Sequence, residues 1–246
     1  MTLEKRVAKD AKKLLMFKDK YKGKRCFIVG NGPSLKMEDL EKLHVHGEYS
    51  FGANGIHLAF NQTRWKPTFY TVSDQAALLA WYHIIKKLDV KYKFIGDRAF
   101  RAYDIPQIKN AFIYPLIERT YYPYCPDFSN DITKAVGNSY TVTYINMQIA
   151  SYMGFNEIYL IGIDHSYDVQ LDSEGKIIKN KTKNYFIDNY TPASVKGLGM
   201  SRLYLCDKAY VKAELYSQFH DFKIYNATRG GKLEIFERID FDKIVF

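Results

Sequence analysis

The side chains best suited to chemistry in this chain stand in short polar clusters, each directly after an apolar run. Gly30, Asn31, Gly32 and Ser34 follow Cys26-Phe27-Ile28-Val29, and Asn54 follows the run at 49–53. Ser73 and Asp74 follow 69–72, and Asp164, His165 and Tyr167 follow 157–163. Tyr185, Asp188 and Tyr190 stand in a polar stretch beyond. An imidazole titrates near neutrality and can take a proton from a hydroxyl nucleophile, so His165 is a candidate general base. Asp188 is a second candidate, and Asp164 is better suited to orienting a loop or holding a ribose. The hydroxyls of Tyr167, Tyr185 and Tyr190 could donate to a leaving phosphate, a task otherwise given to a metal. Gly30 and Gly32 allow a tight turn or close approach of a ligand, and Pro33 suits the first position of a helix. Strand, glycine turn and helix N-terminus together make an anion site. Each cluster also has a plainer reading, because Asn, Asp and Ser are common turn formers at strand ends. His165 could simply hydrogen-bond a neighbouring loop, and Asp188 could be a solvated loop carboxylate.

The elements that must position these residues follow from hydrophobic pattern. Strand-sized apolar runs at 26–29, 49–53, 69–72, 93–95, 112–114, 157–163 and 222–225 alternate with helical segments at 37–43, 76–88, 141–153 and 202–219. That alternation predicts an α/β fold, a Rossmann-like, mostly parallel sheet with helices on both faces, plus a lid-like insertion. Ligands of such sheets bind beyond the carboxyl ends of the strands, which is where the polar clusters fall. The third glycine of the dinucleotide fingerprint is Leu35 here, so the turn reads as a nucleotide or phosphate crevice and not specifically as an NAD site. Residues 118–138 read as a long surface loop and 166–198 as a mobile lid. The expected organisation is a basic amphipathic helix within 1–23 and a single nucleotide-binding domain over 24–246. The helix, at 3–21, would pack through Leu3, Val7, Leu14, Leu15 and Phe17. The tail from 233 could pack back on the domain.

Composition narrows the function classes. The chain has 246 residues, 47% of them apolar, and no stretch long enough to span a bilayer. No secretory signal is readable, and Cys26, Cys125 and Cys206 form no paired motif, so a cytoplasmic protein with reduced thiols is expected. The net charge is +9, and residues 1–25 hold ten basic side chains against three acidic ones. This segment could touch an anionic membrane from the cytoplasmic side, although a charge run on an amphipathic helix more often just faces water. A nucleic-acid role would rest on this segment alone, and none is expected. No Walker A pattern, metal-binding His cluster or Gly-x-Ser-x-Gly elbow is present, and Asp240-Phe241-Asp242 lies away from the strand ends and reads as surface.

The motifs GNGPSL at 30–35, SD at 73–74, SYTVTYINMQIASYMGFNEIYLIGIDHSY at 139–167 and NATRGGKLEIFERIDF at 226–241 resemble the DUF115 or MptE-like proteins of bacterial capsule and lipopolysaccharide gene clusters. GNGPSL and the later GxxEIYLxGID block also resemble bacterial sialyltransferases that use CMP-activated sialic acid, and the flagellin-modifying Maf proteins look like a further branch. The resemblance implies a metal-independent, GT-A-like nucleotide domain. It implies that Asn31, Ser34 and Asn54 contact the CMP part of a donor, and that Tyr167 and Tyr185 bind the leaving phosphate. In those sialyltransferases a lid histidine is the general base. No histidine lies within 185–190 here, and relatives of the capsule type often carry His-Phe where this chain has Tyr185-Phe186, so the role is unfilled or passes to Asp188 or His165. Archaeal MptE enzymes instead transfer pyrophosphate from ATP to a hydroxymethyl pterin, with acidic and histidine-rich metal motifs that are not found in this sequence.

The sequence therefore predicts a glycosyltransferase of surface polysaccharide synthesis, with a nucleotide-sugar donor, CMP-linked, and a glycan acceptor as partners. It needs no cofactor; Mg²⁺ enters only in the alternative of a pterin diphosphokinase using ATP. The other alternative is a non-catalytic nucleotide-binding module. The expected catalytic group is His165, Asp188, Tyr167 and Tyr185. The expected nucleotide site is Gly30, Asn31, Gly32, Ser34, Asn54, Ser73, Asp74 and Asp164, with no metal ligands.

Overall fold

Cys26 and Ile28 are buried on one side of a strand, and Phe27 and Val29 are buried on the other. An unbroken apolar run demands this two-sided cover. The structure is a computed structural model and describes residues 3–101, 108–117, 127–190 and 201–246. The strand is β1 (Arg25–Val29), and β2 (Ser50–Ala53), β3 (Phe69–Val72), β4 (Tyr92–Gly96) and β5 (Ala111–Tyr114) step away from it in order. The short β6 (Leu116–Ile117) and β7 (Val136–Gly137) pair with each other outside the main sheet. The chain then returns to the opposite side of β1 with β8 (Glu157–Ile161). After an antiparallel hairpin of β9 (Val169–Leu171) and β10 (Ile177–Lys179), it adds β11 (Lys223–Asn226) and β12 (Glu237–Arg238). The result is an eight-stranded sheet in the order β12-β11-β8-β1-β2-β3-β4-β5, parallel at every pairing. This is the expected Rossmann-like α/β fold.

The helices are α1 (Leu3–Leu14), α2 (Met37–Val45), α3 (Gln75–Lys87), α4 (Arg98–Arg101), α5 (Val142–Tyr152) and α6 (Leu203–Gln218). α5 and α6 cover one face of the sheet through Tyr144, Ile145, Ile149, Ala209 and Ala213. α2 and α3 cover the other through Leu40, Leu43, Leu78, Trp81 and Ile85. The tail packs back on this second face: Phe241 is buried, and Phe246 stacks on Phe27 at 5.8 Å.

α1 guards the outer edge of the sheet. It lies against β5, and the Asp10 carboxylate accepts a hydrogen bond from the Ile113 N–H at 3.2 Å. An edge strand left bare would invite pairing with another chain, and this contact satisfies its donor. The helix is shorter than its pattern predicted. It gives way after Leu14 to a 3₁₀ turn, Leu15–Phe17. Leu14 and Phe17 enter the core as expected, but Leu15 does not: the tighter turn swings it out, and it is 57% exposed. Two further expectations change. The polar stretch 166–198 is not all loop, because the β9–β10 hairpin lies within it; its end, 191–198, is outside the described residues. The loop expected at 118–138 contains β7, and its part at 118–126, with Cys125, is also outside them.

Strand order reverses between β1 and β8. Side chains at the carboxyl ends of these two strands flank the crevice where ligands of open α/β sheets bind.

Candidate functional site

The floor of the crevice is a contact between two glycines. The Gly30 N–H donates to the Ile161 carbonyl at 2.8 Å, and the Gly32 N–H donates to the Gly162 carbonyl at 2.9 Å. A Cβ at Gly30 would overlap the Gly162 carbonyl oxygen, and Gly162 itself has φ +67. The two chains can approach this closely only without side chains. Asp164 then turns back into the loop from β1. One of its oxygens, Oδ2, accepts from the Ser34 Oγ–H at 2.7 Å and from the Ser34 N–H at 3.2 Å. Burial pushes the Asp164 carboxyl above its usual value, and the Ser34 hydrogen bonds oppose that shift. The expected anion site at a helix N-terminus is therefore built differently. No helix starts at Pro33; α2 begins at Met37. The amides of Gly32 and Ser34 are bonded within the protein, because this half-buried loop must satisfy its N–H groups and the residues just after β8, Gly162 and Asp164, supply the acceptors. The Asp164 backbone is held in turn by the loop after β11. The Lys232 N–H donates to the Asp164 carbonyl at 2.8 Å, and Thr228 Oγ1 accepts from the Ile163 N–H at 3.1 Å.

On the other side of β1, two asparagines present unused acceptors. Asn31 Nδ2 donates to the Ala53 carbonyl at 3.2 Å, while its Oδ1 is buried with no partner among the described residues. Asn54 follows β2 in the left-handed region, φ 51. Its carbonyl accepts from the Tyr70 hydroxyl at 2.5 Å and faces His57 Nδ1 at 3.2 Å, and its own Oδ1 is likewise buried without a partner. His57 Nε2 shares that condition, and burial holds the His57 pKa below its ordinary value. Buried acceptors of this kind normally have a donor.

Residues 185–190 close over this place. The Phe186 N–H donates to the Asn31 carbonyl at 3.0 Å, and the Gly55 N–H donates to the Tyr190 hydroxyl oxygen at 2.9 Å. The Tyr190 ring stacks on Tyr185 at 3.8 Å and meets Trp81 of α3 edge-on at 5.6 Å. Tyr167 stands 6.4 Å from Tyr185, edge to face. Burial raises the pKa of Tyr167 and of Tyr190, so both stay protonated and able to donate.

His165 lies on the α6 side of Asp164, with φ 53. Its Nε2 is 2.6 Å from Asp207 Oδ1 on α6; the His165 side chain is only 8% exposed, that of Asp207 48%. The Tyr210 ring lies 5.7 Å from the imidazole. Asp188, in contrast, has its side chain 83% exposed and pairs with Lys183 at 3.3 Å. Asp74 caps α3, accepting from the Ala77 N–H at 2.7 Å, and Ser73 before it is half-buried. The structure thus gathers Gly30, Asn31, Gly32, Ser34, Asn54, Asp164, Tyr167 and Tyr185 around the ends of β1, β2 and β8, with His165 beside them. It leaves Asp188 facing solvent and uses Asp74 as a helix cap. Sequence reasoning missed Asp207, His57 and Trp81, which carry no local signal. It also passed over Gly55 and Gly162, which sat in plain view as glycines after apolar runs. Among the described residues, no group of three or more His, Cys, Asp or Glu side chains could hold a metal ion.

A family model described as 6-hydroxymethylpterin diphosphokinase MptE-like matches residues 4–170. The chain belongs to this MptE-like family. The match takes in the crevice floor, His165 and Tyr167, and stops before the tyrosine cover, Asp207 and the loop after β11. No curated protein matches the chain. Among solved structures, the Maf glycosyltransferase from Magnetospirillum magneticum AMB-1 is similar with a TM-score of 0.53 and 13% identity, covering 97% of this chain and 39% of that one. The MptE-like chain therefore spans about two fifths of that protein's length. The sialyltransferase CstII from Campylobacter jejuni, solved with the substrate analogue CMP-3FNeuAc, is similar with a TM-score of 0.47 and 14% identity, over 88% of this chain and 86% of that one. At 13% identity the likeness to the Maf protein is one of fold alone. No helix among the described residues is long and apolar enough to cross a membrane.

Proposed function

We propose that this protein is a cytoplasmic glycosyltransferase, transferring a sugar from a CMP-linked donor to a glycan acceptor in surface polysaccharide synthesis. The observation that carries this reading is the pair of buried acceptors, Asn31 Oδ1 and Asn54 Oδ1, beneath the tyrosine cover at the ends of β1 and β2. Unpartnered acceptors in an enclosed site cost stability until a ligand's N–H or O–H groups meet them, and a nucleoside offers both kinds. The likeness of fold to the Maf glycosyltransferase supports sugar transfer as the reaction class.

The reaction is a direct displacement. The acceptor hydroxyl oxygen forms a bond to the anomeric carbon, the bond from that carbon to the donor phosphate breaks, and the electron pair leaves with the nucleotide. His165 takes the hydroxyl proton. Its Nε2 is engaged by Asp207, which accepts from Nε2–H and so selects the tautomer that leaves Nδ1 as the base. The Tyr167 and Tyr185 hydroxyls donate to the departing phosphate, and the cover at 185–190 excludes water. Asp164 acts by shaping the turn through Ser34 and not by taking the proton.

Titration calorimetry with CMP, UDP, GDP and ATP tests the donor class, and transfer from CMP-linked sugars tests the reaction. The reading fails if no nucleotide binds at high protein concentration. The family description favours a second reading, pyrophosphate transfer from ATP to a hydroxymethyl pterin. No three-carboxylate or histidine cluster among the described residues would cage its Mg²⁺, which would ride mainly on the ATP phosphates. AMP release dependent on a pterin acceptor would establish that reading in place of the first.

A further inference from the structure

The end of the sheet opposite the crevice has a surface that the reaction does not use. Residues 15–24 fold across the amino ends of the strands. Phe17 packs edge-on against Tyr92 at 4.9 Å and Phe112 at 5.0 Å, and Tyr21 stacks on Phe155 at 4.9 Å. Lys18, Lys20, Lys22 and Lys24 of this segment are exposed. Topology adds Lys91 and Lys109, both exposed, from just before β4 and β5. The ammonium groups of Lys20 and Lys91 lie 5.7 and 5.5 Å from the same Tyr92 ring centre, so the two sources of charge merge. None of these six lysines is drawn into an ion pair among the described residues. The exposed carboxylates nearby are Asp19, Asp89 and Asp221; Asp89 pairs with Lys66, and Asp221 stands just before β11, where its backbone carbonyl accepts from the Asn156 side chain that also bonds the Gly23 N–H. At the border of this patch stand two apolar side chains with no core to enter: Leu15, 57% exposed, and Met16, 51% exposed.

We propose that this surface docks on an anionic lipid bilayer, with the lysines against the headgroups and Leu15 and Met16 inserted among the acyl chains. Charge complementarity selects an anionic partner, and the exposed apolar pair selects a lipid surface over a nucleic acid, whose phosphates give such side chains no contact. The strands are parallel, so the crevice lies at the far pole. Docking by the amino pole leaves its mouth turned to the solution, open to soluble donor and acceptor. The inference is independent of the reaction assigned above.

Sedimentation of the full chain with phosphatidylcholine vesicles, with and without phosphatidylserine, tests it. Binding is expected only with phosphatidylserine. It should fall at least tenfold between about 0.1 M and about 1 M salt, as the Debye length shrinks from ~10 Å to ~3 Å. Each Lys→Gln change at 18, 20, 91 or 109 should lower the partition coefficient about fivefold, from about 1 kcal/mol per basic residue at the surface. The pair Leu15→Ser and Met16→Ser should lower it about tenfold with the lysines intact. Brominated acyl chains should quench the tryptophan of Met16→Trp and leave that of Ile178→Trp, on the β9–β10 hairpin, unchanged. Equal binding to both vesicle types would overturn the proposal, as would indifference to the Leu15 and Met16 changes alongside lysine-dependent capture of a soluble RNA duplex. Equal quenching at 16 and 178 would overturn the orientation.

Discussion

Replacing Gly32 with alanine probes how the crevice floor is held together, because the added methyl group has one movable obstacle. The first atom it meets is the Asp164 carboxylate oxygen that binds Ser34; the Gly162 carbonyl oxygen lies behind it. To make room, Asp164 must swing away and give up its bonds to the Ser34 hydroxyl at 2.7 Å and the Ser34 amide at 3.2 Å. Hydrogen bonds to a charged group are worth about 1.5–3 kcal/mol each, and releasing a carboxylate whose burial is unfavourable returns part of that. The substitution should therefore destabilise by about 2–4 kcal/mol. Most of this loss is Asp164's. In an Asp164→Ala background the bonds are already gone, and Gly32→Ala should cost only about 1 kcal/mol, for the residual approach to Gly162. Urea unfolding of the four proteins should give a coupling of about 1–3 kcal/mol, with unchanged m-values. Gly30→Ala serves as the control. The Gly162 backbone carbonyl obstructs it, so removing Asp164 should bring no relief. Gly32→Ala penalties that agree within about 0.5 kcal/mol in the two backgrounds would show that Asp164 does not carry the loss.

Other expectations follow from neighbouring contacts. Gly55→Ala drives a methyl group into the Tyr190 ring and should cost about 1–3 kcal/mol; amide exchange over 185–190 should quicken and nucleotide binding weaken together. Asp207→Asn should donate to His165 Nε2 and hold the ring in the wrong tautomer. Transfer should slow on the order of a hundredfold with little change in KM, while Asp188→Asn stays within about twofold of the parent. A parent-like rate in Asp207→Asn would remove His165 from the base role. Asp164→Asn isolates a pH effect. Because folding raises the Asp164 pKa, the folded state holds its proton more tightly than the unfolded chain, so this group's contribution favours folding more as pH drops from neutral through the raised value toward the ordinary one. Thermal melts from pH 7 to pH 4 should show the parent gaining on Asp164→Asn as pH falls, and a gap independent of pH would contradict the assignment.

Much of the fold was legible because both faces of the sheet are covered. Cys26 to Val29 and Ile158 to Ile161 have no polar interruption, and such runs suit central parallel strands. The strand ends were legible because Asn31 and Asp164 stand within three residues of those runs and Asn54 directly follows the run at 49–53. What stayed hidden depends on partners distant in sequence. Asp207 sits inside a helix with no motif around it, and only the packing of α6 beside the loop after β8 sets it against His165. Pro33 looked like a helix start because a glycine turn and a proline usually precede one. Here the Gly32 and Ser34 amides are claimed by Gly162 and Asp164, just after β8, and the chain stays irregular until Met37. Leu15 fitted the helical stripe of Leu3, Val7 and Leu14, but the 3₁₀ turn breaks that period and turns it outward. His165 was the first candidate base on sequence and Asp188 the second, and burial separates them further: the Asp188 side chain lies in solvent, that of His165 is almost enclosed.

The pairing of β1 with β8 also sets a timetable for synthesis. β1 gains β2 as a neighbour soon after it is made, but its other edge waits until Ile161 leaves the ribosome. At ~5–20 residues per second that delay is on the order of ten seconds. Through it, one half of the sheet can assemble while an apolar strand edge at its centre stays open. A nascent chain at that stage has no crevice, since the Gly30–Gly162 contact and the Asp164 latch do not yet exist. The site is thus among the last features to form, and stalled or truncated chains should be found by chaperones at β1 and not by nucleotide.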